Sequence, residues 1–106
     1  MAKRKTVKYS TGSAFHALGL KDADDLVLRA DLMRKIGEVI DSRDLTQVQA
    51  GELMGMDQPR VSALLNGKIG NFSTDRLLKA LSDLGQNVEV RITPARAKRG
   101  RMRLAA

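Results

Sequence analysis

Cysteine is absent from this chain, which removes disulfides, thiolate metal sites and thiol nucleophiles together. Tryptophan is absent too, and Tyr9, Phe15 and Phe72 are its only aromatic side chains. Three rings are too few to stack a run of unpaired bases, so a platform for single-stranded nucleic acid is not expected. The lone histidine, His16, has no second ligand or carboxylate pair near it in sequence and reads as a solvated or packed residue. No apolar run approaches the length of about eighteen residues that a membrane helix needs, and no apolar core follows the basic start. The default location is therefore the cytoplasm. Metal-ligand clusters and a phosphate loop are also missing, so the sequence implies no cofactor and gives an enzyme little support.

What remains is enough for one small domain: 106 residues, 42% of them hydrophobic and 29% charged. The net charge of +7 is unevenly placed. Lys3, Arg4, Lys5 and Lys8 put +4 on residues 1–9, and Arg96, Lys98, Arg99, Arg101 and Arg103 put +5 on residues 94–106. Those nine charges leave −2 for the stretch between. The body is not basic; the tails are. Residues 1–11 read as a flexible basic arm, 12–93 as the domain, and 94–106 as a flexible basic tail. Such tails either add sequence-independent affinity for nucleic acid or merely solubilise the ends.

The most informative stretch is Thr46 to Gly67, TQVQAGELMGMDQPRVSALLNG. Thr46 can cap a helix over about Gln47 to Met54, and Gly55 suits the exit from it. Asp57 can cap a second helix in which Pro59 falls in the first turn and which stops at Asn66–Gly67. Small Gly51 sits where two helices would cross. Ala50, Met54, Met56, Val61 and Leu64 sit where the inner face would be sealed. A helix-turn-helix needs that arrangement, and the unit presents its second helix to the DNA major groove. An unliganded αα-corner is the plainer alternative.

Around this unit the periodicity changes in an orderly way. Gly12 to Lys21 holds a small apolar cluster of Phe15, Leu18 and Leu20. Asp22 to Arg43 reads as a long helix with Leu28, Leu32, Ile36, Val39 and Ile40 on one face, open to a break near Ala30–Asp31. Acidic Asp22, Asp24 and Asp25 crowd its start, where the helix dipole favours negative charge. Ala30 and Gly37 would let neighbouring helices approach. Ser73 caps a helix to about Leu84, with Leu77, Leu78, Leu81 and Leu84 inward. Val88, Glu89, Val90, Arg91 and Ile92 then alternate as a strand that Pro94 stops. A strand edge seeks a partner. A two-fold dimer centred on Val90 would set Glu89 of one chain against Arg91 of the other. Pairing with Val7–Tyr9 in the same chain is the alternative.

The residues TQVQAGELMG–MDQPRVSALLNGK resemble the Xre family of phage-repressor-like helix-turn-helix proteins. Gly12 to Ile40 resembles the N-terminal half of their HigA-like antitoxins, and Phe72 to Ile92 the closing helix and terminal strand. The resemblance implies an all-α, lambda-repressor-like domain of four or five helices with one C-terminal β-strand pairing in a dimer. It also implies a repressor of its own operon and, through residues 12–40, a hold on a RelE/HigB-like toxin. A stand-alone transcriptional repressor of the same family is the alternative.

Candidate DNA contacts follow from the second helix. Gln58 can bond adenine bidentately, Arg60 can reach guanine or phosphate, and Ser62 and Ala63 are edge or thymine-methyl contacts. Gln47 opens the first helix, where backbone N–H groups suit a phosphate. Relatives of the phage-repressor type support Gln47, Gln58, Asn66 and Lys68. Pro59 departs from them, since it carries no base-reading group and shifts weight to DNA shape.

Overall fold

A computed structural model describes residues 22–105. The basic arm, the Phe15–Leu18–Leu20 cluster, His16 and the Val7–Tyr9 pairing alternative lie outside the described residues. Among the described residues four helices, α1 (Asp22–Ser42), α2 (Gln47–Met54), α3 (Gln58–Leu65) and α4 (Thr74–Asp83), carry the fold, with a 3-10 turn at Ile69–Asn71.

The long α1 is a single helix and does not break at Ala30–Asp31. Its inward face is the expected one: Leu32, Ile36, Val39 and Ile40 are buried, joined by Met33, and Leu28 packs at the edge. The outward face is laced with charge pairs: Arg34 bonds Asp31 and Glu38 at 3.1 and 3.2 Å. The Asp31 hydrogen bond, more than any other contact, holds the Arg34 guanidinium pKa above its ordinary value. Against this scaffold α4 packs Leu77, Ala80 and Leu81, with Leu84 just beyond its end. Ala50, Met54, Met56, Val61 and Leu64 of the central unit complete one shared core. Gly37 is half-buried rather than pressed: a Cβ there would meet the Leu65 side chain at an ordinary 3.8 Å.

Three arginines tie the helices together through carbonyl groups. Arg29 donates from Nη1 to Ile69 O and Phe72 O at 3.2 and 3.1 Å. Its Nη2 pairs with Asp25 at 2.7 Å, and Asp25 also accepts from Thr74 at 3.3 Å. Arg43 donates to Leu84 O at 2.8 Å, and Arg76 to Met54 O at 2.6 Å. The last two bonds satisfy carbonyls at the C-terminal ends of α4 and α2, which the helices leave without partners.

No strand occurs among the described residues. Residues 86–95 have no regular secondary structure, and Val90 and Ile92 are 75% and 77% exposed. A strand needs a ladder partner, and the single chain offers none among the described residues. Beyond Pro94 the tail bends at residues 96–99 and comes back to the body, where Leu104 packs against the core.

Candidate nucleic-acid interface

The central unit is built by local rules. Thr46 accepts from the Gln49 N–H at 3.1 Å, and the Gln49 side chain accepts from the Thr46 N–H at 2.9 Å. This reciprocal box fixes the start of α2. Gly55 closes that helix in the left-handed conformation, φ 69°, which costs a residue with a side chain about 1–2 kcal/mol. Asp57 accepts from the Arg60 N–H at 3.0 Å and starts α3, with Pro59 in its first turn. Where α2 meets α3, a Cβ on Gly51 would lie 2.6 Å from Met56 O and 3.1 Å from the Val61 side chain. Only hydrogen fits there. Val61 and Leu64 turn α3 inward, at 0% and 1% exposure.

The outer side of α3 is therefore set by elimination and confirmed by exposure. Gln58, Pro59 and Arg60 are exposed, as are Asn66 and Lys68 just past the helix end. Gln58, Ser62 and Asn66 are four residues apart and share a face. Ser62 is half-buried and accepts from Asn66 Nδ2 at 3.2 Å. Ala63 is half-buried and packs against the core, so less of its methyl is offered outward. Arg60 stands apart, with its guanidinium carbon 4.5 Å from the centre of the Phe72 ring. Such stacking contributes about 0.5–1 kcal/mol at an exposed site and aims the arginine along the flank of α3. Gln47 is exposed in the first turn of α2, beside Val48.

The structure thus brings Gln58, Ser62 and Asn66 onto one face, with Arg60 and Lys68 at its margins. The Arg60–Phe72 stack is invisible in the sequence, because a pairing between residues 60 and 72 has no local pattern. Charge on the unit is balanced: Glu52 and Asp57 offset Arg60 and Lys68 across residues 46–71. A shallow groove of about 580 Å³ runs beside the unit, between Ala30, Met33 and Gly37 of α1 and Leu64 and Leu65 of α3. Among the described residues, no cluster of histidine and carboxylates could hold a metal ion. None of the described helices is long and apolar enough to cross a membrane.

Comparison with known proteins agrees with this geometry. A family described as "Helix-turn-helix domain" matches residues 14–93. A solved structure assigned by its name to the XRE family of transcriptional regulators is 35% identical, with a TM-score of 0.71. The match covers 80% of this chain and 96% of that one. No curated protein matches the sequence.

Proposed function

The chain belongs to the XRE family of helix-turn-helix proteins and is a DNA-binding transcriptional regulator, and from that premise we propose that it is a dimeric autorepressor and antitoxin. In this reading α3 enters the major groove, Gln58 reads a base, and Asn66 and Lys68 hold flanking phosphate. Two copies pair through Val88–Ile92 and address two half-sites about one helical turn apart. The toxin is of the RelE/HigB-like class, and the complex acts in the cytoplasm as a binding protein rather than an enzyme.

The observation that carries the antitoxin part is the surface of early α1. Leu26 and Val27 are 42% and 56% exposed, close in sequence to Ala30 and Met33 of the groove beside α3. Neither joins the core formed by the described residues, and apolar side chains left open there suit a protein partner. The stand-alone regulator is the second reading, supported by the family alone.

Co-expression with the product of the adjacent small gene, followed by co-purification, tests the proposal. A stable complex with a growth-inhibiting partner is expected, and it should weaken when residues 1–21 are removed or when Leu26 and Val27 become serine. Absence of any complex, with DNA binding intact, would leave the stand-alone regulator.

A further inference from the structure

Protein affinity for duplex DNA rests heavily on cations that neutralise phosphates. The unit that presents α3 has no surplus of them, since Arg60 and Lys68 are offset by Glu52 and Asp57. On the rest of the domain the cations are largely committed. Arg29, Arg43 and Arg76 are tied to main-chain carbonyls. Arg34, Lys35 and Lys79 are paired with carboxylates. The C-terminal segment is different. Arg96, Lys98, Arg99, Arg101 and Arg103 are all exposed, and none has an ion-pair partner among the described residues. No acidic side chain follows Glu89 in the chain.

The segment is also not a free end. Residues 96–99 bend, a Cβ on Gly100 would lie 3.8 Å from that of Ala95, and Leu104 packs on the core while Met102 is half-buried. The cations are thus carried on a segment whose far end returns to the body at Leu104. Holding a charged segment in place lowers the ordering cost it incurs on binding.

We infer that residues 96–103 form a docked basic loop that grips the phosphate backbone of duplex DNA, supplying sequence-independent affinity that the charge-neutral helix-turn-helix lacks. This rests on the assignment of the protein as a DNA binder. The loop reads no bases; it raises affinity for every duplex alike, and α3 adds discrimination on top.

The test uses the full chain with Arg96, Lys98, Arg99, Arg101 and Arg103 changed to glutamine and Leu104 kept. Binding to a mixed-sequence duplex of about 30 base pairs is followed by fluorescence anisotropy at salt concentrations from about 50 to 200 mM. Removing one phosphate-neutralising cation should make the plot of log K against log salt shallower by about 0.9. A slope shallower by about 2 or more is expected for the loop variant, with an unchanged circular dichroism spectrum and melting temperature. Changing Arg34, Lys35 and Lys79 to glutamine is the control and should leave the slope near wild type. A smaller change in the loop variant, or an equal change in the control, would overturn the inference. Failure of the wild-type protein to bind any duplex would instead remove the DNA-binding assignment on which the inference stands.

Discussion

At the scale of single residues, two glycines four positions apart do different work. Gly51 is held by space: its missing Cβ would collide with Met56 O. Gly55 is held by conformation alone, because a Cβ there would meet nothing within 4 Å. Gly51→Ala must push α3 off α2 and should cost about 1–3 kcal/mol together with DNA affinity. Gly55→Ala should cost about 1–2 kcal/mol and leave the position of α3 unchanged. Urea unfolding combined with DNA titration separates the two: only Gly51→Ala should lose more affinity than its lower stability explains. Gln58 makes a third case. It is exposed and has no packing role, so Gln58→Ala should leave the melting temperature alone. Discrimination between the preferred duplex and a single-base variant should fall by about 1–3 kcal/mol. An unaltered preference would move base reading to Ser62, Asn66 or DNA shape.

At the scale of elements, the ends of the helices are the legible part. Thr46, Asp57 and Ser73 each cap a helix through the N–H three residues on, and a short polar side chain before an apolar-periodic run announces this in the sequence. The bounds of α2 and α3 can be read for that reason, and the buried set of the central unit with them. The arginine ties cannot. Arg29 finds its carbonyls 40 and 43 residues away, and no periodicity encodes that. Asp25, in sequence, is one of three carboxylates suited to a helix start, whereas the structure makes it one end of a largely buried ion pair, with side chains 12% and 13% exposed. Arg29→Met leaves that carboxylate without its counter-charge, with Thr74 as its remaining donor, and strands two carbonyls, and should destabilise the fold by about 3–5 kcal/mol. Thermal or chemical denaturation checks it; a destabilisation under about 1 kcal/mol would mean the tie is idle. Residues 88–92 stay open for a related reason. Their alternation is real, yet alternation specifies only a willingness to pair, and the ladder partner must come from elsewhere.

At the scale of the whole molecule, that unpaired segment and the basic loop that follows it make the monomer look incomplete. Val90 and Ile92 are apolar, at 75% and 77% exposure, a state that a second copy would relieve. In a two-fold pairing centred on Val90 that residue faces its own counterpart, so Val90→Lys would oppose two like charges directly across the axis. On the proposed pairing, sedimentation should report a dimer for the wild type and a monomer for Val90→Lys at the same concentration. A dimer that persists unchanged would exclude this register. What the sequence leaves open at this scale is the tail: its charge is plain from composition, but nothing in a run of arginines says that Leu104 returns to the core.

The division of labour along α3 has a consequence for how such a protein diversifies. Two of its eight residues, Val61 and Leu64, are buried, and Gln58, Pro59 and Arg60 on its outer side are exposed. Inheritance can therefore act on the two sets almost independently. A lineage can exchange the outward residues, and with them, on the proposed reading, the operator it answers to, while the inward pair and its scaffold stay fixed. Duplicated copies would drift apart in target without passing through unfolded intermediates, and a randomised library at these exposed positions would be expected to consist mostly of folded proteins.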